Sequence, residues 1–251
     1  MFGLFQKWRR NKLYDRPLSG DWQTMLDDHF SMVAEFDADE RETFYRHLKI
    51  FLWEKDWFGT HGLEVTDEMK IVISASAARL ARRLPIEVYD RVKEIGIYPA
   101  GFRPADDEEF HAAGMAHDFG TVLFSWDSVK EGISIPNDGQ DTTLHEFAHM
   151  LDLNDGLFDG TPKLHAYGDY PTWAEVLSEH FENLQDNPDR HDIIDEYGAT
   201  NEAEFFAVAT EVFFEKPKTL RRRAPELYEE LRRYYRVDPL RREPTIFSDD
   251  E

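Results

Sequence analysis

Residues 143–152, TLHEFAHMLD, set two histidines four apart with a glutamate directly after the first. A four-residue step returns to the same helical face one turn on, so the two imidazoles act together only if this stretch is a helix. Its apolar positions agree. Leu144, Phe147, Ala148 and Leu151 make an i, i+3, i+4, i+7 stripe that should face a core, and His145, His149 and Asp152 fall on the neighbouring stripe. Asn137 to Gln140 reads as a capping box and Asn154-Asp155-Gly156 as a stop, which predicts a helix over 138–153. Imidazoles stacked one turn apart can chelate a single Zn²⁺, and Glu146 can then reach the attacking water as general base. The plain alternative is an amphipathic helix with polar residues on its wet side. The cap, and histidines beside the apolar stripe, favour the metal.

A catalytic zinc takes three protein ligands and keeps one position open. The chain has no cysteine, so the third ligand must be His, Asp or Glu. A histidine six residues after His149 would extend the motif, but position 155 is Asp; His165, His180 and His191 lack supporting context. Better candidates lie in NEAEFFAVATEVFFEK (201–216), where Glu204 and Glu211 are seven apart on one face with Val208 between them. Phe205, Phe206, Val208, Val212 and Phe213 make this helix strongly apolar, so it should be buried against the histidine helix. A carboxylate buried there wants a cation. Asn201-x-x-Glu204 also reads as a capping box, and spacing alone leaves Glu204 and Glu211 nearly tied.

Elsewhere the periodicity predicts helices over 22–36, 39–58 and 67–84, the third opened by Thr66 and ended by Pro85. Short strands are expected at 92–98 and 121–126, with a polar loop over 103–120 between them. Helices return at 138–153, 171–185, 201–216 and 224–237. The fold class is therefore α+β and mostly helical. One domain spans 19–238, with a helical part (19–85) and a catalytic core (86–238) holding a small sheet, between a basic, flexible N-terminal arm (1–18) and an acidic tail (239–251). With 51 acidic against 29 basic residues the net charge is −22, which argues against nucleic acid as the main ligand and against anionic membranes. No apolar run approaches the ~18 residues of a membrane span, and MFGLFQKWRRNKLYDRP is a poor signal peptide, so a cytoplasmic location is expected.

YGATNEAEFFAV (197–208), taken with HEFAHMLD (145–152), resembles the Mlc titration factor A family of bacterial zinc metallopeptidases. FLWEKDWFG (51–59), GLEVTDEMKIVISASAARL (62–80), IGIYPAGF (95–102), VLFSWDSV (122–129) and Gly132 extend the likeness over about residues 20–235, leaving the termini outside. H-E-F-x-H with Y-x-x-T-N-E-A-E-F-F is also similar to the catalytic domain of lethal-factor toxins, which implies a gluzincin-type, zincin-like core. The resemblance implies one zinc on His145, His149 and Glu204, Glu146 as general base, and Tyr197 as the group that stabilises the oxyanion. A phenol O–H suits that last role, since it can donate as charge develops; the alternative is a core aromatic. Glu211 then becomes a ligand's outer partner or a buried pair partner, and Asp152 either orients a ligand histidine or faces water. GTVLFSWD (120–127) is expected to form the upper edge of the cleft and pair with an extended substrate, against the alternative of an ordinary buried strand.

By resemblance, the function is that of a zinc-dependent peptidase, aminopeptidase-like on small peptides and controlled by a transcriptional repressor of sugar uptake. The rival is a zinc-stabilised regulator that acts by binding a protein partner. An intact Glu146 weighs against the rival, because a structural metal needs no general base. Hydrolysis of a non-peptide amide would use the same residues.

Overall fold

The computed structural model describes residues 2–101, 114–116, 120–135, 137–187 and 193–241. His191, most of the segment expected as a loop, and the tail from 242 onward lie outside the described residues.

The N-terminus corrects one expectation. Instead of a flexible arm, Phe2–Tyr14 (α1) is a helix that packs on α3, Ala38–Glu54, with α2, Gly20–His29, between them in sequence. Arg10 of α1 is buried and donates to Glu54 from Nη2 at 2.6 Å and from Nε at 3.0 Å, and to Asp90 at 2.6 Å. Reciprocal caps start α3: Glu40 N donates to Asp37 at 2.8 Å and Asp37 N to Glu40 at 3.2 Å. Thr66 opens α4, Asp67–Leu80, as its sequence predicts, accepting from Met69 N at 3.2 Å.

The periodicity of 39–58 predicts one helix, yet α3 stops at Glu54 and Asp56–Gly59 becomes a strand, β1. Sheet contacts override the pattern. Buried Lys55 donates from Nζ to the carbonyls of Tyr89 (3.0 Å) and Val92 (2.9 Å), and Asp56 N bonds Lys93 O at 3.0 Å. The other strands are β2, Glu94–Tyr98, β3, Gly114–Ala116, and β4, Thr121–Ser125, in the order β1-β2-β4-β3. β1, β2 and β4 run parallel, and β3 pairs antiparallel with β4, Met115 opposite Leu123. β3 falls where the sequence suggested only loop. Ser125 ends β4 and caps α5, Trp126–Ser134, by accepting from Ser128 N at 3.3 Å.

Beyond it come α6, Thr142–Asp152, α7, Tyr170–Asp186, α8, Glu202–Glu215, α9, Pro217–Arg223, and α10, Pro225–Tyr235. α6 begins four residues later than predicted, because Asp141 rather than Asn137 caps it, accepting from Thr143 N at 2.9 Å and Leu144 N at 3.2 Å. Phe147 of α6 lies 5.3 Å from Phe51, 5.7 Å from Tyr89 and 5.5 Å from Phe124, ring centre to ring centre. One side chain thus joins the histidine helix to α3 and the sheet. Leu144, Ala148 and Leu151 are fully buried beside it, as the stripe predicts. The architecture is mostly helical α+β with a small mixed sheet. Among the described residues no helix is long and apolar enough to cross a membrane.

Candidate metal centre

The apolar face of α6 goes to the core, which aims its next face at α8, and α8 packs directly against it. Three donor atoms meet between the two helices. Glu204 Oε2 lies 2.9 Å from His145 Nε2 and 3.2 Å from His149 Nε2, and the two histidine nitrogens are 3.1 Å apart. Bond lengths of ~2.0–2.1 Å in a tetrahedron place ligand atoms about 3.3 Å from one another, so the spacing suits one small divalent ion. Among the described residues this is the set of His, Asp and Glu side chains able to hold a metal, and neither Glu146 nor Glu211 belongs to it.

The outer contacts fit the same purpose. Glu211 Oε1 is 2.7 Å from His145 Nδ1, and Glu211 Oε2 accepts from Asp141 N at 2.6 Å. A neutral His145 that donates from Nδ1 to Glu211 turns the lone pair of Nε2 toward the Glu204 carboxylate. That arrangement repels itself unless a cation sits between them. Without a metal the cation is a proton: burial opposes it, but the bonds to Glu204 and Glu211 outweigh burial and push the His145 pKa well up. Burial likewise opposes the Glu204 charge, yet its bonds to both histidines hold its pKa down at about 2. The His149 pKa, unlike that of His145, is lowered, chiefly by burial, and its Nδ1 has no hydrogen-bond partner among the described residues.

Asn201 accepts from Glu204 N at 3.0 Å and so caps α8, but the Glu204 carboxylate turns to the histidines instead of closing a capping box. Tyr197 follows Asp195 in a short 3-10 turn, with its ring 5.9 Å from that of His145. It is 40% exposed, which removes the core-aromatic alternative. Burial, then nearby Glu204 and Glu146, raise its phenol to about 12, so it stays protonated at neutral pH. Glu146 is buried against β3: a Cβ placed on Gly114 would stand 2.5 Å from its Oε1. Asp152 neither orients a ligand histidine nor faces water. It is fully buried and accepts from Gly160 N at 2.9 Å, fastening the loop after α6.

Residues 5–236 match the family described as glucose-regulated metallo-peptidase M90. The chain belongs to that family. It is 34% identical over 246 residues to an uncharacterized protein of Synechocystis sp., covering 93% of this chain and 90% of the other. It is 28% identical over 250 residues to proteins named Mlc titration factor A from Yersinia pestis and Yersinia pseudotuberculosis, covering 94% of this chain and 90% of theirs. In this M90 chain the edge expected of 120–127 goes to another strand. β4 has β2 on one side and β3 on the other, so among the described residues β3 is the end of the sheet, and its Gly114 lies over Glu146. Sequence reasoning missed β3 and its glycine because Gly114-Met115-Ala116 is three residues long and holds no β-branched or aromatic side chain. The Asp141 cap was readable, as an Asp directly before two threonines and the apolar stripe.

Proposed function

We propose that the chain is a zinc-dependent peptidase with one zinc on His145, His149 and Glu204 and a zincin-like core, aminopeptidase-like as its resemblance suggests. The observation that carries this reading is the convergence of three donor atoms within 2.9–3.2 Å, with Glu146 outside the donor set but close enough for its charge to act on both His145 and Tyr197. Zinc held there would supply Lewis acidity toward a carbonyl and a lowered pKa for water. Glu146 takes the proton of the attacking water and delivers it to the leaving amine. Protonated Tyr197 donates to the oxygen on which negative charge develops. The outer side of β3, which pairs with no other strand among the described residues, supports an extended peptide as substrate, since Gly114 of that strand lies against the Glu146 carboxylate.

The name borne by the Yersinia relatives supports a second role, binding of a repressor protein such as Mlc, which is compatible with hydrolysis. Metal analysis of the purified protein together with a peptide-library cleavage screen tests the main reading. The expected result is one zinc per chain and cleavage, both lost in His149→Ala. Stoichiometric zinc retained in both His145→Ala and His149→Ala would place the site elsewhere.

A further inference from the structure

Both imidazoles have an exposed aromatic ring beside them. Tyr197 lies near His145, and Phe158 lies 4.9 Å from His149, ring centre to ring centre, at 37°. Phe158 is 44% exposed and its neighbour Leu157 is 58% exposed. Isolated apolar side chains on a surface need no explanation. This pair differs in being adjacent, with the Phe158 ring against a donor imidazole, on a loop whose end is fastened to the core. Gly160 N donates to buried Asp152 of α6 at 2.9 Å, and Trp173 of α7 donates from Nε1 to Gly160 O at 3.4 Å. Gly160 has a φ of 74°, and a Cβ there would stand 2.3 Å from Glu202 O, in the first turn of α8 that also carries Glu204. The loop is therefore seated on the two helices that supply the donors. Within it Asp155 accepts from Leu157 N at 3.0 Å and Asp159 from Thr161 N at 3.1 Å, so carboxylates flank the apolar pair.

We infer that Phe158, with Leu157 beside it, is a wall of the subsite that receives a large apolar side chain of the substrate next to the bond being cut. The preferred substrates are peptides with a leucine- or phenylalanine-like residue there, and an acidic residue at the same place is rejected. The apolar ring gains by being covered. The rejection follows from an apolar wall that cannot solvate a carboxylate and from a chain of net charge −22. This inference rests on the peptidase reading.

A peptide series that varies one residue on either side of the cleaved bond among Leu, Phe, Gly and Asp supplies the test, read as kcat/KM on zinc-loaded protein. The wild type is expected to favour Leu and Phe over Gly, and Gly over Asp. Phe158→Ala should lower the Leu-to-Gly ratio roughly ten-fold, the loss of about half the burial of such a side chain. Phe158→Leu should restore most of the ratio, and Phe158→Arg should raise the relative rate on Asp peptides. Zinc content and thermal unfolding are measured on each variant, so a misfolded protein is recognised as such. A wild type that cleaves but ignores the varied residue overturns the inference alone, as does an unchanged ratio in a folded, zinc-loaded Phe158→Ala. A wild type that cleaves no member of the series overturns the peptidase reading and the inference with it.

Discussion

His145 stands between two glutamates of one helix and uses them differently. Its Nε2 faces Glu204 at 2.9 Å on the side shared with His149, while its Nδ1 faces Glu211 at 2.7 Å on the far side. Removing Glu204 takes away a donor; removing Glu211 only frees the ring to turn. Loss of an outer hydrogen-bond partner costs roughly 10–100-fold in metal affinity, so Glu211→Ala should fall in that range and Glu204→Ala well beyond it. Chelator competition measures both, and the reverse order would move the ligand role to Glu211. At this scale the histidines and Glu146 were legible, because one helix and its period place them. The choice between Glu204 and Glu211 was not, because it depends on which turn of α8 crosses α6. Phe158 was hidden for a similar reason: its place is set by Asp152, Trp173 and Glu202, each on a different helix.

Among elements, α1 shows what a local pattern leaves out. Its sequence is basic and weakly amphipathic, and what docks it is a buried ion pair with Glu54, 44 residues away, joined by a bond to the more exposed Asp90, 80 residues away. Burial alone would raise the Glu54 pKa, but the Arg10 bonds and charge more than offset this and hold it at about 2, against an ordinary value of 4.5. A carboxyl depressed in the folded state stabilises it above its unfolded pKa and loses that contribution as pH falls through the folded one. The docking of α1 should therefore be complete above about pH 4.5 and lost on approach to pH 2. Arg10→Ala should cost on the order of 3 kcal/mol at neutral pH by leaving a buried carboxylate short of its main partner. Hydrogen exchange of α1 and urea unfolding at several pH values check this; protection of α1 unchanged in Arg10→Ala would contradict it. The long helices were legible because each buries an apolar face at a 3.6-residue period. β1 and β3 were not: β1 is four residues long and owes its form to pairing with β2, far along the chain, while β3 is a three-residue strand paired with nearby β4.

Over the whole molecule, Phe147 binds the histidine helix to both α3 and the sheet, so two of the three candidate donors, His145 and His149, sit on an element anchored in the core, while the third, Glu204, comes from α8. The helical class followed from the sequence, whereas the strand order did not, since nothing local tells β4 that both its sides will be taken. Membership of the M90 family and the gathered His145, His149 and Glu204 support hydrolysis, and Glu146 separates an enzyme from a metal-stabilised binding protein. Glu146→Gln keeps the shape of the side chain and the three donors but removes the base. Peptidase rate and bound zinc are measured on one preparation of this variant. The expected result is full zinc occupancy with a rate lowered ~10²–10⁴-fold, the usual worth of general acid–base catalysis; wild-type rate in a zinc-loaded Glu146→Gln protein would contradict the account.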